Sequence, residues 1–233
     1  MPGTDPAKGF WWLLTASQRA DLSAAGRVRI YKPASILCNE GDIAAHLFVL
    51  VTGTVKIISV TAGGDRRVVA LRGHGDVIGE ISGETTGQRT ATVQAIDAVH
   101  ALIVGYDRFG RFLESHPIAG RLYLHVMIQR WGEAAAMLST LSVTTGTQRL
   151  AALLLQLAGR DGNGTDGEIR IAIPLSQEEL AGLASTSRTT VTRALRNWRR
   201  RGFIRTGQRR TTILDQEALQ RVAGQQSLGR PVR

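Results

Sequence analysis

The spacing of apolar residues changes several times along the chain, and each change predicts a different kind of element. Leu13, Leu14 and Leu22 follow helical spacing over residues 12–26, and Gly26 provides a helix end. From residue 28 to about residue 104, short runs rich in Val, Ile and Thr alternate with Gly/Asp turns, which predicts an antiparallel β jelly-roll sandwich or barrel. The predicted strands are Ile36–Leu37, Leu47–Val51, Val55–Val60, Val68–Leu71, Val77–Ile78, Thr90–Ile96 and Val99–Val104.

Helical spacing then returns. Residues 106–115 predict a short helix, and Pro117 opens a longer one that runs to about Leu141. A narrow apolar stripe on the long helix recurs in alternating steps of four and three residues, as in a coiled-coil seam. It predicts a homodimer interface, and the alternative is a helix packed on its own barrel. The stripe comprises Leu124, Ile128, Trp131, Ala135 and Leu138.

The last third of the chain predicts a helix at 147–158, a polar connector at 159–168, a short strand at 169–173 and a helix-turn-helix at 175–201. Ser176 and Glu179 have the spacing of a capping box, and Ser187 can cap a second helix that begins at Arg188.

The second of these helices combines an apolar inner face with a polar outer face. Val191, Leu195 and Trp198 form the inner stripe, whereas arginine and threonine occupy the outer face. Arginine matches the acceptors of guanine, so the pattern predicts a recognition helix in the DNA major groove; the alternative is an amphipathic helix pair with a basic surface. The predicted DNA contacts are Gln177, Ser187, Arg188, Thr189, Thr190, Thr192, Arg193, Arg196 and, on a basic turn like the wing of a winged helix, Arg209.

Charge is distributed unevenly in support of this prediction. The net charge is +10, yet residues 1–145 hold 14 Lys and Arg against 12 Asp and Glu, whereas residues 146–233 hold 15 Arg against 7 acids. Between Leu180 and Leu214 there are nine Arg and no acid. Only the C-terminal part is therefore expected to meet a polyanion, namely double-stranded DNA.

The sequence offers little support for a disulfide-bonded, membrane-bound, metal-binding or catalytic protein. Cys38 is the only cysteine, which excludes an internal disulfide and a cysteine-ligated cluster. We find no apolar run of membrane-spanning length and no signal peptide, so we expect a cytoplasmic protein without a membrane partner. The five His are too scattered for a metal-dependent cupin enzyme, and no catalytic constellation is apparent, so we expect no enzyme activity. A haem site would depend on His74 or Cys38 as ligands.

Fragments spread over residues 10–220 resemble the cyclic-AMP receptor protein/FNR family of bacterial transcription regulators. In the predicted barrel, the resemblance lies in Glu40-Gly41-Asp42, in Gly75-Asp76-x-Ile78-Gly79-Glu80 and in Arg89-Thr90-Ala91-Thr92. Near the C-terminus it lies in Ser176-Gln177-Glu178-Glu179-Leu180-Ala181 and in Ser187-Arg188-x-Thr190-Val191-x-Arg193. Each fragment is weak alone, but their order and spacing are specific.

The resemblance implies an α+β chain with an N-terminal cyclic-nucleotide-binding jelly-roll, a long dimerisation helix and a C-terminal winged helix-turn-helix. The implied domains are an effector domain at 10–116, the dimer helix at 117–144, the DNA-binding domain at 145–223 and a disordered tail at 224–233. Arg89 would pair with the phosphate of a cyclic nucleotide, and Glu80 would accept from its ribose; alternatively, Arg89 and Glu80 pair with each other. The full implied effector site is Gly79, Glu80, Ile81, Ser82, Arg89, Thr90 and Ala91.

Departures from the family pattern leave the effector open. Ala134 and Ala135 stand where cyclic-AMP binders typically carry a hydroxyl, and Glu84 adds a negative charge near the expected anion. The effector is therefore cyclic AMP, another nucleotide, or none, in which case the barrel is a scaffold for a constitutive DNA-binding dimer. No cofactor is required. Thr189 replaces a glutamate of relatives that read a TGTGA-type half-site, which predicts an altered palindromic operator. RNA polymerase is a further candidate partner.

Overall fold

The computed structural model describes residues 9–61, 63–81, 87–163 and 168–224. The chain forms two compact units, one ending at Ala136 and the other beginning at Met137. Within the described ranges, no helix is both long and apolar enough to cross a bilayer.

The first unit begins with two short helices, α1 (Phe10–Leu13) and α2 (Ala16–Ala25), where the sequence predicted one. Thr15 interrupts them because it is the N-cap of α2. Its hydroxyl accepts from the backbone N–H of Gln18, and the Gln18 side chain accepts from the backbone N–H of Thr15. Gly26 ends α2, as predicted.

Eight strands then form two antiparallel four-stranded sheets. Their orders are β1-β8-β3-β6 and β2-β7-β4-β5, which confirms the jelly-roll sandwich. The first strand, which the sequence patterns did not single out, forms one edge of the first sheet. The bounds are β1 (Arg27–Tyr31), β2 (Ile36–Cys38), β3 (His46–Thr52), β4 (Val55–Val60), β5 (Arg66–Arg72), β6 (Val77–Ile78), β7 (Thr92–Ala95) and β8 (Val99–Gly105).

Strand β3 shows how the core is divided. Because side chains alternate along a strand, Phe48 and Leu50 enter the core between the two sheets, while Leu47 and Val49 lie on the opposite face. That second face is covered by apolar residues of the flanking helices. Both faces of β3 are buried, so its sequence is a continuous apolar run rather than an alternating one.

Two helices follow the strands, with the predicted bounds: α3 (Tyr106–Ser115) and α4 (Pro117–Leu141). Ala119 of α4 is fully buried, and Leu122, Tyr123 and Val126 pack against the core beneath the first sheet. This face of α4 is distinct from the apolar stripe singled out in the sequence.

The second unit is built around the predicted helix-turn-helix. Strands β11 and β12 form a hairpin at the predicted wing, and the four strands are ordered β11-β12-β10-β9. The predicted helix at 147–158 extends three residues further. The bounds are α5 (Gly146–Asp161), β9 (Gly162–Asn163), β10 (Ile169–Ile171), α6 (Gln177–Leu183), α7 (Arg188–Arg200), β11 (Ile204–Gly207), β12 (Arg210–Ile213) and α8 (Gln216–Ala223).

Candidate ligand pocket and nucleic-acid interface

Arg89 is held in place by its backbone. Its N–H donates to the carbonyl of Asp42 at 2.8 Å, and its carbonyl accepts from the N–H of Gly41 at 2.8 Å. The Gly87 carbonyl accepts from the N–H of Ala44 in the same way. The Glu40-Gly41-Asp42 turn therefore fixes the segment that carries Arg89.

The Arg89 guanidinium is buried beside Phe48 and Gly79. The residue is 4% exposed, and neither terminal nitrogen has a hydrogen-bond acceptor within the described part of the chain. The guanidinium lies 5.2 Å from the centre of the Phe48 ring. It also approaches Gly79 so closely that a Cβ there would lie 2.2 Å from Nη1, and Gly79 has a left-handed φ of 87°. Glycine is thus required at this position for both reasons.

Ionisable neighbours respond to this buried charge. Burial, assisted by Arg89 and Arg27, lowers the pKa of His46, whose ring packs edge-on against Phe48. Burial raises the pKa of the Cys38 thiol, and Arg89 opposes that rise. Burial also raises the pKa of Tyr106, whose hydroxyl donates to the Gly79 carbonyl at 2.7 Å. The surroundings of Arg89 therefore disfavour a second cation.

Glu80 pairs with a different arginine. Arg130 of α4 donates to Glu80 Oε1 at 3.0 Å, to Asp76 Oδ1 at 2.8 Å and to the Val77 carbonyl at 2.8 Å. The alternative that Arg89 and Glu80 pair with each other is therefore wrong. The three charged side chains are only 14–16% exposed, so the cluster is a desolvated connection between α4 and the sandwich.

The other residues of the predicted effector site are Gly79, Ile81, Ser82, Thr90 and Ala91. Gly79 contacts Arg89, as described; Ile81 is 56% exposed; Thr90 is exposed and Ala91 half-buried. Ser82 and Glu84 lie outside the described residues.

Sequence reasoning missed Arg130, Asp76 as its partner, and Arg72. Burial, together with the neighbouring Arg130, lowers the pKa of Arg72. One signal was available: between residues 122 and 141, Arg130 is the only cation and Glu133 the only acid. A half-buried cation in a stretch with so few charged residues indicates a specific partner.

The helix-turn-helix has the predicted caps. Ser176 accepts from the N–H of Glu179, whose carboxylate accepts in return from the N–H of Ser176, and Ser187 accepts from the N–H of Thr190. Val191 and Trp198, together with Leu195, are buried. The inner stripe of α7 therefore anchors the helix as predicted.

The outer face of α7 is available to a ligand. The exposed predicted contacts on this helix are Arg188, Thr189, Thr192, Arg193 and Arg196. Some hydroxyls are already engaged: Thr192 Oγ1 lies 2.6 Å from Gln177 Oε1, and the hydroxyls of Ser187 and Thr190 lie 2.9 Å apart. The arginines are thus the principal hydrogen-bond donors that this face presents.

Arg209 has a different environment. It lies at the tip of the β11–β12 hairpin with a left-handed φ of 53°, and its Nη2 lies 3.0 Å from Glu179 Oε2. Its side chain is 53% exposed. Arg209 therefore joins the wing to α6, a role that the sequence did not indicate.

The apolar stripe of α4 is uncovered in the single chain. Leu124 is 58% exposed, Ile128 60%, Trp131 78% and Leu138 70%, and Ala135 is exposed as well. Large apolar side chains at such spacing are normally covered by a partner.

The positions of the His and Cys side chains in the described part of the chain do not support a metal or haem site. Over the described ranges, no three His, Cys, Asp or Glu side chains come together as a metal site. His74 is exposed in a turn and contacts Trp12 edge-on, and Cys38 is buried.

Comparison with known proteins identifies both units. Residues 28–116 match the model of the cyclic nucleotide-binding domain, and residues 148–222 match that of the Crp-like helix-turn-helix domain. The CRP-like cAMP-activated global transcriptional regulator of Mycobacterium tuberculosis is 33% identical over 184 residues, which cover 79% of this chain and 82% of the relative. The cyclic AMP receptor protein of Thermus thermophilus is 29% identical over 195 residues, covering 84% and 87%. The structure of a CooA mutant from Carboxydothermus hydrogenoformans covers 94% of this chain and 97% of its own, with a TM-score of 0.75 at 20% identity, which shows the shared fold.

A cyclic-nucleotide-binding sandwich combined with a winged helix-turn-helix defines a DNA-binding transcription regulator. The chain belongs to the Crp/Fnr family of such regulators.

Proposed function

We propose that the chain is a homodimeric, effector-gated regulator whose effector is a cyclic nucleotide bound at Arg89. The observation that carries the proposal is the buried guanidinium without an acceptor among the described residues. An isolated buried charge is costly, and a singly charged cyclic phosphate would compensate it with two charge-assisted hydrogen bonds.

The neighbouring acidic cluster fits the sugar of such a ligand. Glu80 uses Oε1 for Arg130 and retains acceptor capacity for a ribose hydroxyl, because a carboxylate has about four lone-pair sites. Arg130 would then be connected to the bound ligand through its ion pair with Glu80. Ala134 and Ala135 have no side-chain hydrogen-bonding groups, so the proposal does not specify the base.

Calorimetry with cyclic AMP, cyclic GMP and cyclic di-GMP tests the effector. We expect one of them to bind the wild-type dimer, and Arg89→Met to weaken that binding by at least about 1.5–3 kcal/mol. Arg67→Met, which removes an exposed arginine of the same unit, is the matched control and should bind normally. If no nucleotide produces heat, the effector proposal fails and the constitutive scaffold takes its place.

We further propose that α7 reads a palindromic operator in the major groove, with Arg188 and Arg193 on base edges. Five arginines and no acid lie between Arg188 and Arg200. Selection from random DNA should yield an inverted repeat with half-site centres about one helical turn apart. Arg188→Ala should then cost about 1–3 kcal/mol and relax one base position.

Two variants of α7 sharpen this test. Arg200→Ala is the matched control, since Arg200 lies at the opposite end of α7 and should not alter base preference. Thr189→Glu adds an acceptor for a cytosine amino group and should shift the selected half-site toward cytosine. Unchanged selection by both Arg188→Ala and Thr189→Glu would reject the recognition-helix assignment.

The dimer is proposed to form along the exposed stripe of α4. Ile128→Glu and Trp131→Glu should convert it to monomers in sedimentation experiments, because each places a charge in the seam. Gln129→Glu, on an adjacent exposed position of the same helix, should leave the dimer intact. A wild-type monomer at micromolar concentration would contradict the proposal. Contact with RNA polymerase stays a prediction.

A further inference from the structure

The turn of the helix-turn-helix is held by an arginine that lies outside the motif. Arg149 of α5 donates from Nε to the Ala184 carbonyl at 3.0 Å and from Nη2 to the Ser185 carbonyl at 2.8 Å. These carbonyls follow α6, where a helix end leaves acceptors without intrahelical partners. Ser185 is also left-handed, with a φ of 47°, so the turn has a strained residue that its surroundings must hold.

The same guanidinium reaches the segment that follows α4. Arg149 Nη1 donates to the carbonyl of Thr144. Thr144 in turn donates from its hydroxyl to the Thr140 carbonyl in the last turn of α4 at 2.6 Å. A single planar side chain therefore connects the end of α4 with the turn two residues before the N-cap of α7.

A steric contact reinforces this connection. Gly146 is the first residue of α5, and a Cβ there would lie 2.0 Å from Thr186 Oγ1 and 2.8 Å from Thr186 Cβ. The start of α5 thus lies directly against the turn. Two independent contacts, one polar and one steric, therefore hold the segment between α4 and α5 against the turn that precedes α7.

We propose that Arg149 is a positioning residue for operator recognition: it fixes the start of α7 to the end of the dimer helix without touching DNA. The inference rests on the proposed DNA-binding dimer. In that dimer, the separation of the two recognition helices depends on how firmly each is joined to α4. The Arg149 connection would therefore set which half-site spacing the dimer accepts.

The test compares operators of different spacing. The selected operator, versions with one base pair inserted or removed between half-sites, and an isolated half-site are titrated with wild-type protein and with Arg149→Ala. We expect Arg149→Ala to weaken the full operator by about 5- to 150-fold, a typical range for coupling between sites. It should bind the three spacings nearly alike and retain wild-type affinity for the half-site and for random DNA.

Matched variants separate positioning from general damage. Arg221→Ala removes an exposed arginine of α8 and should behave as wild type. Arg149→Lys keeps the charge but lacks the planar fork, so its spacing discrimination should stay near that of Arg149→Ala. A loss of half-site affinity equal to the loss of full-operator affinity would mean that Arg149 only stabilises the fold, and would overturn the proposal.

A second route covers the case in which Arg149→Ala does not fold. Gly146→Ala should abolish spacing discrimination through its clash with Thr186, and Thr186→Gly in the same chain should restore it. If the double variant discriminates no better than Gly146→Ala, the connection does not set the spacing. If wild-type protein prefers no sequence over random DNA, the proposed function itself fails, which is a different result from unaltered discrimination in the variants.

Discussion

The two units use arginine in opposite ways. In the sandwich, Arg89 is 4% exposed and without an acceptor among the described residues, whereas α7 carries all five of its arginines on exposed positions. An exposed arginine remains hydrated in the absence of a polyanion, so it has little effect on the stability of the fold. A buried arginine without a hydrogen-bond acceptor destabilises the ligand-free protein, and the proposed anionic ligand would offset that cost.

A second contrast lies within the first unit. Arg130 is nearly as inaccessible as Arg89, but it is paired with two carboxylates. The same residue type thus joins α4 to the sandwich in one place and, in the proposed function, binds the anion of the effector in the other. Substituting each arginine by methionine should therefore change stability in opposite directions.

The largest effect is expected for Arg130→Met. It leaves Asp76 and Glu80 desolvated without their cation, so the free energy of unfolding should fall by about 3–5 kcal/mol. Urea denaturation measures the change, with Arg121→Met on the exposed side of α4 as a control expected within about 0.5 kcal/mol of wild type. A decrease in the free energy of unfolding as small as that of Arg121→Met would show that the ion pairs of Arg130 make no net contribution to stability.

Arg89→Met should have the opposite sign. Replacing a buried charge that has no hydrogen-bond acceptor among the described residues with an apolar side chain should raise the free energy of unfolding of the ligand-free protein by about 1–3 kcal/mol. The same denaturation experiment detects it. Destabilisation instead would reveal that Arg89 has a structural partner and would remove the contrast with Arg130.

A smaller gain is expected in the second unit from Ser185→Gly. Glycine adopts the left-handed φ of 47° without steric cost, so unfolding should become less favourable by about 0.5–1 kcal/mol. The neighbouring Ala184 has an ordinary φ of −86°, and Ala184→Gly should destabilise instead. Equal effects of the two glycines would show that Ser185 is not strained.

The smallest expected effect is a pH dependence that originates at His46. Its folded pKa lies below the ordinary value of about 6.5, so the stability that this residue contributes is complete above that pH. As the pH falls, the unfolded chain takes up a proton that the folded chain resists, and stability declines until the folded pKa is passed. His46→Gln should flatten this decline in urea titrations between neutral and acidic pH.

A bound cyclic nucleotide should alter that titration. A phosphate at Arg89 offsets one of the charges that disfavour protonated His46, so the pKa of His46 should rise on binding. NMR titration of the His46 ring with and without ligand measures the shift. An unchanged pKa would place the anion away from Arg89.

The sequence predicted those elements whose signals are local. The caps at Ser176 and Ser187, the inner stripe of α7 and the bounds of α3 and α4 depend on residues a few positions apart, and the structure confirms them. The predicted helix over 12–26 was wrong in one respect, because Thr15 offers its own capping box.

The features that the sequence did not predict depend on contacts between residues that are far apart in the chain. Arg130 meets Asp76 and Glu80 across about 50 residues of sequence, and Arg149 meets the carbonyls of Ala184 and Ser185 across about 35. No local pattern marks such partners, and backbone carbonyls have no sequence signature. Strand β1 was missed for a different reason: Val28 and Ile30 alternate with Arg27 and Arg29, but the strand is short and four of its five residues are exposed.

Two arginines of the wing are paired with acids that lie outside the β11–β12 hairpin. Arg205 pairs with Glu168, and Arg209 pairs with Glu179. A cation that already has an acidic neighbour displaces fewer counter-ions when it approaches a phosphate, so the hairpin adds less to long-range attraction than its composition suggests. In the proposed complex, electrostatic attraction of the duplex would thereby be concentrated on α7, and charge reversal of the exposed Glu168 would extend it to the flanking phosphates.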